Sequence, residues 1–257
     1  MGRVFYFWTM FAKSKNFIAG RHPILEALKS GQLMEKILMA STATGENISL
    51  IKLMAKQNQV PLQMVPVEKL NSITNIQHQG VLAFKSMVQY QDLQSVIDWI
   101  IGEGETPLMV MLDGVTDIRN IGAITRSAVC CGAQALIIPE KGVGALNEDA
   151  MKASAGALEL LQICRVANLT KAIEELHLNG IKVFSSEMKA QKKLSALDLT
   201  GPSCIILGGE EKGVQAALSK AADEHFSIPM AGDFDSLNVS VATGIILYEA
   251  SRQRLGS

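Results

Sequence analysis

The sequence predicts an α/β protein in which a parallel β-sheet, covered by helices on both faces, follows a smaller α/β unit. Beyond residue 107 the apolar segments lack polar alternation, which is typical of strands buried on both faces. Helical segments separate them, as they do in a parallel sheet. The chain has 257 residues, 48% of them hydrophobic, which suits one large or two small domains and excludes a disordered chain.

The smaller unit is predicted over residues 17–88. Its first helix carries Ile24, Leu25 and Leu28 at helical spacing, and Gly31 is predicted as the C-terminal cap. Short apolar runs between its helices predict buried strands. The predicted helices are 22–30, 48–59 and 67–74, and the predicted strands are 36–40, 62–67 and 81–87.

Residues 89–107 are interpreted as the linker. They contain one amphipathic helical stretch and end in the glycine-rich, acidic sequence GEGETP, which closes with proline.

The parallel sheet is predicted over residues 108–257, where strands and helices alternate regularly. The predicted strands are 108–113, 135–139, 161–166, 181–186, 204–208 and 225–229, and the predicted helices are 121–132, 148–158, 169–180, 214–222 and 237–254.

Residues 1–16 form an extension that we expect to be disordered. Five of the chain's 13 aromatic residues lie here, yet the apolar run at 4–12 is too short to span a bilayer. A signal peptide is disfavoured because no small-residue cleavage site follows the run. Translation from Met10 is the alternative that leaves residues 1–9 untranslated.

Charge is divided unevenly along the chain. Residues 1–100 hold 10 Lys+Arg and 6 Asp+Glu, whereas residues 101–257 hold 14 and 19. This division suits two domains with different tasks, and ordinary fluctuation explains it equally well. The net charge of −1 therefore does not exclude a nucleic-acid partner, because it can hide a local basic surface.

The four cysteines lack the spacing of a metal site. They form no CxxC pair and have no regularly spaced histidines nearby. This pattern excludes a zinc ribbon and a disulfide scaffold. A reducing, cytoplasmic location and no bound metal are expected.

Ligand sites of parallel sheets lie beyond the carboxyl ends of the strands. The first such loop holds Asn120, Gly122 and Arg126. Asn120 and Gly122 are placed at a helix N-terminus, where free N–H groups attract an anion. The alternative is a capping Asn120 and a surface Arg126.

Two further loops follow strands. The sequence GGEEKGV begins at Gly208, and its glycines let backbone approach a ligand, with a turn capped by Glu210 as the alternative. It matches neither a P-loop nor a dinucleotide-binding fingerprint. The last loop is polar, and Ser236 is expected to cap the final helix with Asn238 on its first turn.

Together the three loops resemble the SpoU/TrmH family of the SPOUT superfamily, which are RNA 2′-O-ribose methyltransferases. The motifs are N-x-G-x-x-x-R (120–126), I-L-G-G-E-x-x-G (206–213) and I-P-M followed by S-L-N-V-S-V-A (228–242). The segments F-I-A-G-R-H-P-I-L-E-A-L (17–28) and H-Q-G-V (78–81) are similar to that family's substrate-binding domain, which is like a small ribosomal RNA-binding protein. Both parts together look most like the RlmB type.

The resemblance implies a SPOUT-type parallel sheet with a C-terminal trefoil knot that binds S-adenosylmethionine. The residues whose backbone it places around the adenine and ribose of the cofactor are Leu207, Gly208, Gly209, Ile228, Met230 and Leu237. They are small or apolar, as a pocket for a flat heterocycle requires.

The resemblance also implies the roles of several polar residues. It matches Arg126 to the residue that activates the ribose 2′-hydroxyl, and it places Asn120, Glu210, Ser236 and Asn238 in the active site. Because arginine resists deprotonation, orienting the hydroxyl and stabilising its anion is the easier role for Arg126. Glu211 departs from the glycine expected after Glu210.

In the N-terminal part, Arg21, His22, Lys13 and Lys15 are candidates for RNA phosphate contacts, with a solvated surface as the alternative. His78 is either part of the family motif or a structural cap.

The family implies a homodimer that packs its knot regions together. The expected substrate is a guanosine of large-subunit rRNA, and a tRNA ribose is the alternative within the same class. A non-catalytic RNA-binding ribosome-assembly factor is disfavoured by the presence of Asn120, Arg126, Glu210 and Asn238. A general nucleotide-binding enzyme is disfavoured by the missing phosphate loops.

Overall fold

The computed structural model describes residues 17–58, 60–143, 146, 148–209, 212–232 and 236–256. The predicted disorder of residues 1–16, together with Lys13 and Lys15, lies outside these ranges. The chain divides into two compact units between Ser86 and Met87.

The first unit is a four-stranded sheet with helices on both faces. Its elements are β1 (Phe17–Ala19), α1 (Arg21–Lys29), β2 (Met34–Ala40), α2 (Glu46–Gln57), β3 (Leu62–Val65), α3 (Val67–Ile73) and β4 (Val81–Lys85). The strand order is β1-β4-β2-β3, in which β2 and β3 are parallel and the other pairs antiparallel.

Alternate residues of β2 enter different cores, as the two-residue period of a strand requires. Ile37 and Met39 join the cluster that holds the buried faces of α1 and α2. Leu38 and Ala40 join the second cluster with Leu70 of α3. The sequence missed only β1 among these elements, because three residues are too few to show a periodicity.

The second unit is a seven-stranded sheet with the order β11-β9-β10-β6-β7-β8-β5. Its strands are β5 (Tyr90–Gln91), β6 (Leu108–Asp113), β7 (Ala135–Pro139), β8 (Gln162–Val166), β9 (Lys182–Ser186), β10 (Ser203–Gly208) and β11 (Glu224–Phe226). Its α-helices are α4 (Leu93–Gly102), α5 (Ile118–Cys130), α6 (Glu148–Ser154), α7 (Leu169–Leu178), α8 (Ala216–Ala221) and α9 (Val239–Leu255).

Every neighbouring pair of strands in this sheet is parallel, which confirms the predicted parallel sheet. All six residues of β6 are buried. Leu108, Val110 and Leu112 point into one core cluster, whereas Met109 and Met111 point into the other. Both faces of the sheet are therefore covered, which explains why its strands lack polar alternation.

The predicted linker over 89–107 is wrong. Residues in this range form β5, at the edge of the large sheet, and α4. Leu93, Val96, Ile97 and Ile100 share one face of α4 and are buried against the sheet. The amphipathic pattern therefore marks a core helix, and only the glycine-rich end behaves as a connection.

Two helix starts differ from the sequence predictions. Asp117 caps α5 by accepting a hydrogen bond from the Arg119 N–H at 2.8 Å, so Asn120 is in the first turn and Gly122 is already in the second. Asn238, not Ser236, caps α9, since its side-chain oxygen accepts the Ser240 N–H at 3.0 Å. Among the described helices, none is both long and apolar enough to cross a lipid bilayer.

Gly122 serves helix packing and is not placed to bind an anion. A Cβ atom at this position would lie 2.7 Å from the Ala150 carbonyl oxygen and from the Ala153 Cβ of α6. Only glycine lets α5 and α6 approach this closely.

We expect Gly122→Ala to lower the free energy of unfolding by about 1–3 kcal/mol, because the added methyl group overpacks a buried contact. Urea unfolding measures the change. The control is Gly102→Ala at the end of α4, where a Cβ has open space and the change is neutral or stabilising. Equal stabilities of the two variants would contradict this account of the α5–α6 contact.

Candidate functional site

The end of β10 packs directly against neighbouring backbone. A Cβ atom at Gly208 would lie 2.0 Å from the Gly213 carbonyl carbon, and one at Gly209 would lie 2.4 Å from the Gly114 carbonyl oxygen. The Gly213 N–H donates to the Gly209 carbonyl at 2.9 Å and closes the turn between them. The two glycines thus permit close packing of backbone on backbone. The sequence had suggested that they let backbone approach a ligand.

Asp113, at the end of β6, ties this turn to the sheet. Its side chain is 2% exposed and accepts hydrogen bonds from the backbone N–H of Gln215, at 2.6 Å, and from the Gln215 side-chain amide. Its carbonyl oxygen accepts the Gly209 N–H at 2.8 Å. The carboxylate therefore fixes both sides of the turn relative to β6.

A pocket of about 360 Å³ opens beside this turn, at the carboxyl ends of β9 and β10. This volume lies within the usual range for small-molecule sites. All six residues that the sequence analysis placed around a cofactor line it, namely Leu207, Gly208, Gly209, Ile228, Met230 and Leu237. Ser236 lines it as well. The structure thus brings together parts of two loops that lie far apart in the sequence.

One wall of the pocket was missed by the sequence analysis. It begins with the last residue of β9 and consists of Ser186, Glu187, Met188 and Lys189. Lys212 and Val214, from the turn after β10, complete the wall nearby. The signal for the β9 segment was available, because β9 is a parallel strand next to β10 and its carboxyl end must lie at the same edge.

Glu187 brings a negative charge to this wall. Its carboxylate accepts a hydrogen bond from the Ser185 hydroxyl at 2.8 Å and lies 3.0 Å from Nδ1 of His225. Burial raises the pKa of Glu187, but hydrogen bonds from Ser219, Ser185 and His225 outweigh burial and hold the pKa below its usual value. The side chain is therefore ionised at neutral pH and offers a fixed acceptor to a ligand.

The structure also joins the first and third loops. The Asn238 side-chain amide donates to the Asn120 side-chain oxygen at 3.2 Å. Because Asn238 also caps α9, its orientation is fixed by the helix. Glu210 lies outside the described residues.

Arg126 is exposed on α5, two turns after the helix begins. It does not line the pocket in the described part of the chain. It is one helical turn from Ala123 and adjacent to Ser127, both of which line an open groove of about 510 Å³ between α5 and α9. We call this the α5–α9 groove, and its lining residues are Ala123, Ser127, Ser240, Val241, Gly244, Ile245 and Tyr248.

The first turns of α9 separate the pocket from the groove. Val239 and Ala242 line the pocket, whereas Ser240 and Val241 line the groove. Anything bound in the α5–α9 groove therefore lies one helix away from the contents of the pocket.

The N-terminal candidates have mixed roles. The Arg21 guanidinium donates to the backbone carbonyls of Gln79, at 3.0 Å, and Thr44, at 2.9 Å, so it holds two loops together. The phosphate contact of Arg21 stays a prediction beside this structural role. His22 is exposed. His78 is buried and bonded to Asn71, as a structural residue would be.

Within the described ranges, no group of three or more His, Cys, Asp and Glu side chains is arranged to hold a metal ion.

Comparison with known proteins identifies both units. Residues 107–248 match the SpoU rRNA methylase family, and residues 17–91 match the RNA 2′-O ribose methyltransferase substrate-binding family. The chain is 33% identical over 244 residues to YacO of Bacillus subtilis, provisionally named a TrmH family tRNA/rRNA methyltransferase, with 95% of this chain and 98% of YacO covered.

Solved structures of similar fold are also known. AviRb from Streptomyces viridochromogenes, a SpoU methyltransferase crystallised with AdoMet, has a TM-score of 0.61 at 24% identity over 94% of this chain and 91% of its own. The A. aeolicus TrmH/SpoU tRNA modifying enzyme has a TM-score of 0.54 at 29% identity, over 64% of this chain and 85% of its own. On the match of both units and the similarity over nearly the whole chain, this protein belongs to the SpoU rRNA methylase family.

Proposed function

We propose that the protein is an S-adenosylmethionine-dependent RNA 2′-O-ribose methyltransferase that acts on a guanosine of large-subunit rRNA, with RlmB-type specificity. The observation that carries this proposal is the single pocket that collects all six expected cofactor residues at the carboxyl ends of β9 and β10. The substrate-binding match of residues 17–91 supports an RNA substrate.

The pocket suits the proposed cofactor. Leu207, Ile228 and Leu237 supply apolar walls for a flat heterocycle, and the glycine turn keeps backbone amides and carbonyls close to it. The carboxylate of Glu187 offers an acceptor for hydroxyl or ammonium groups. The bound cofactor supplies a methyl group already activated by its sulfonium.

The chain must then orient the attacking 2′-oxygen and stabilise the charge that develops on it. We assign this task to the Arg126 guanidinium, which stays charged and presents several donors. The Asn120–Asn238 pair holds the neighbouring loops in register, and Asn238 is the candidate for binding the ribose or the cofactor carboxylate. Ser236 and Glu210 complete the proposed site, with Glu210 orienting Arg126.

We also propose that the active protein is a homodimer built on the α5–α9 groove. Val241, Ile245 and Tyr248 form an exposed apolar stripe at helical spacing, and Tyr248 is 65% exposed. A second copy seated there would lie beside Arg126 and one helix away from the cofactor pocket. The site would thus gain residues from the partner. This arrangement agrees with the position of Arg126, which does not line the pocket.

Two further proposals follow from the family. The segments after β10 and β11 return to one pocket, which supports a trefoil knot in this region. The described cysteines are all free, which supports the expected cytoplasmic location.

The decisive experiment is a methylation assay with labelled cofactor on three substrates: protein-free large-subunit rRNA, assembled large subunits and tRNA. Label at a guanosine 2′-oxygen of either rRNA substrate supports the proposal. Label in tRNA alone would reassign the substrate, and label in none of the three would refute the enzyme assignment.

We expect Gly208→Ala to weaken binding of S-adenosylhomocysteine at least about tenfold, because the added methyl group displaces the Gly213 backbone that shapes the pocket. Calorimetry measures affinity, and circular dichroism checks that the variant is folded. Gly232→Ala, where a Cβ meets open space, is the matched control and keeps wild-type affinity. Wild-type affinity in Gly208→Ala would place the cofactor elsewhere.

We expect Arg126→Ala to lower kcat about 10²- to 10³-fold while leaving cofactor affinity unchanged, because the lost charge acts only on the reacting oxygen. Arg126→Lys restores part of the rate, since it keeps the charge but loses the planar fork. Single-turnover methyl transfer gives the rates. Undiminished transfer by Arg126→Ala would remove this residue from the mechanism.

We expect Ile245→Arg to convert a dimer into a monomer, because a charge in the apolar stripe opposes burial against a second copy. Light scattering coupled to size exclusion reports the mass. Leu178→Arg, at an exposed site that ends α7, is the control and leaves the mass unchanged. A wild-type protein that is monomeric at assay concentration would rule out the dimer.

A further inference from the structure

A second cavity, of about 430 Å³, lies in the first unit between the end of α3 and the start of β4. We call it the amide cleft, and its lining residues are Asn71, Thr74, Asn75, Ile76, Gln77, His78, Gln79 and Gly80. Four of these residues carry carboxamides, and none carries a carboxylate, an ammonium or a guanidinium group. The cleft is therefore polar but has no formal charge to attract a phosphate or a metal ion.

The floor of the amide cleft is held rigidly by His78. Its Nδ1 accepts the Gly80 N–H at 3.0 Å, so the neutral ring carries its proton on Nε2 and donates to the Asn71 side-chain oxygen at 2.8 Å. Both ring nitrogens are thereby used within the protein. Asn71, at the end of α3, is fixed by this bond.

The rim is held by Arg21. Gln79 adopts a φ of +52°, which is costly for a residue with a side chain. The Arg21 backbone N–H donates to the Gln79 side-chain oxygen at 3.1 Å, and its Nε donates to the Gln79 carbonyl at 3.0 Å. These bonds leave the Gln79 amide nitrogen as a donor. A strained turn held in this way is typical of a binding site prepared in advance.

Two amides of the cleft are left to bind something else. Asn75 and Gln77 are exposed, and no described residue forms a hydrogen bond with either side chain. Between them Ile76 is 38% exposed and gives the cleft an apolar surface. A carboxamide presents one donor group and one acceptor, the pairing that the edge of a nucleobase also presents.

We infer that the amide cleft binds an unpaired nucleobase of the substrate RNA and thereby contributes to the choice of RNA. This inference rests on the proposed function, because it takes its ligand class from the substrate-binding family that residues 17–91 match. Asn75 and Gln77 read the base edge, and Ile76 packs on its face. The base must be unpaired, because side chains read RNA sequence mainly on bases splayed out of a helix. Arg21 and His78 are positioning residues for this subsite.

The first test is the double variant Asn75→Leu/Gln77→Met, which keeps side-chain size and removes the donors and acceptors. Its affinity for protein-free large-subunit rRNA is expected to fall roughly tenfold or more. The slope of log affinity against log salt is expected to stay unchanged, because a base contact releases no counterion. Cofactor affinity is expected to stay at the wild-type value.

The matched control is Gln57→Met, an exposed amide at the far end of α2, the helix that begins near Arg21. It keeps wild-type RNA affinity. Unchanged RNA affinity in the double variant would overturn the inference, and a shallower salt slope would replace the base contact with a phosphate contact.

Crosslinking of the wild-type protein gives an answer that does not depend on folding of a variant. Large-subunit rRNA transcribed with 4-thiouridine is bound, irradiated and digested, and the modified residues are mapped by mass spectrometry. Crosslinks within residues 74–79 support the inference, and crosslinks confined to other segments overturn it.

The two proposals fail in different ways. Wild-type protein that binds rRNA but transfers no methyl group refutes the enzyme assignment. The rRNA affinity of the double variant and the crosslinks then decide whether the amide cleft binds a base. Methyl transfer that is equally efficient in wild type and double variant, at limiting RNA, refutes the cleft alone.

Discussion

The close packing of backbone at the ends of β6 and β10 is the constraint on which the proposed catalytic unit depends. Gly208 and Gly209 touch Gly213 and Gly114, and no side chain fits in either contact. The buried carboxylate of Asp113 then fixes the following residues through Gln215. A polar side chain is tolerated in this buried position because it accepts hydrogen bonds from the turn that it holds. The pocket takes its shape from this arrangement.

The last helix extends this constraint to a second surface. Asn238 caps α9 and bonds to Asn120, so the start of α9 is tied to the first turn of α5. From that fixed start, one face of α9 lines the pocket and the next lines the α5–α9 groove. A single cap therefore sets the position of both surfaces.

Much of the fold was predictable because strands buried on both faces leave an uninterrupted apolar signal, as β6 does. Short edge strands such as β1 and β5 leave none. The cap of α9 could not be assigned from sequence, since Ser236 and Asn238 both suit the position and only the chain path decides which meets a free N–H. Gly122 was assigned to an anion site for a similar reason. The helix that requires a glycine here, α6, lies further along the chain, and its contact with α5 is not visible in the sequence.

The apolar lining of the pocket was predictable, because small and apolar residues cluster in the loops that follow the strands. Glu187 was missed because a charged residue after a strand resembles a solvated loop until its bonds to Ser185 and His225 are known. Arg21 has a second role that its sequence did not indicate. A surface arginine in a motif suggests a phosphate contact, and the structure adds that its guanidinium donates to two backbone carbonyls.

The pairing of β6 with β10 also bears on how the protein reaches its native state. Leu108 pairs with Ser203, so the centre of the large sheet joins segments roughly 95 residues apart. Contacts of such long range form slowly, because closing the intervening loop costs entropy before any pairing compensates for it. During synthesis β6 is made well before β10, so the backbone N–H and C=O groups on one edge of β6 stay unpaired until β10 follows. The catalytic unit is therefore expected to be a late-folding part of the molecule and the one most exposed to aggregation before it closes.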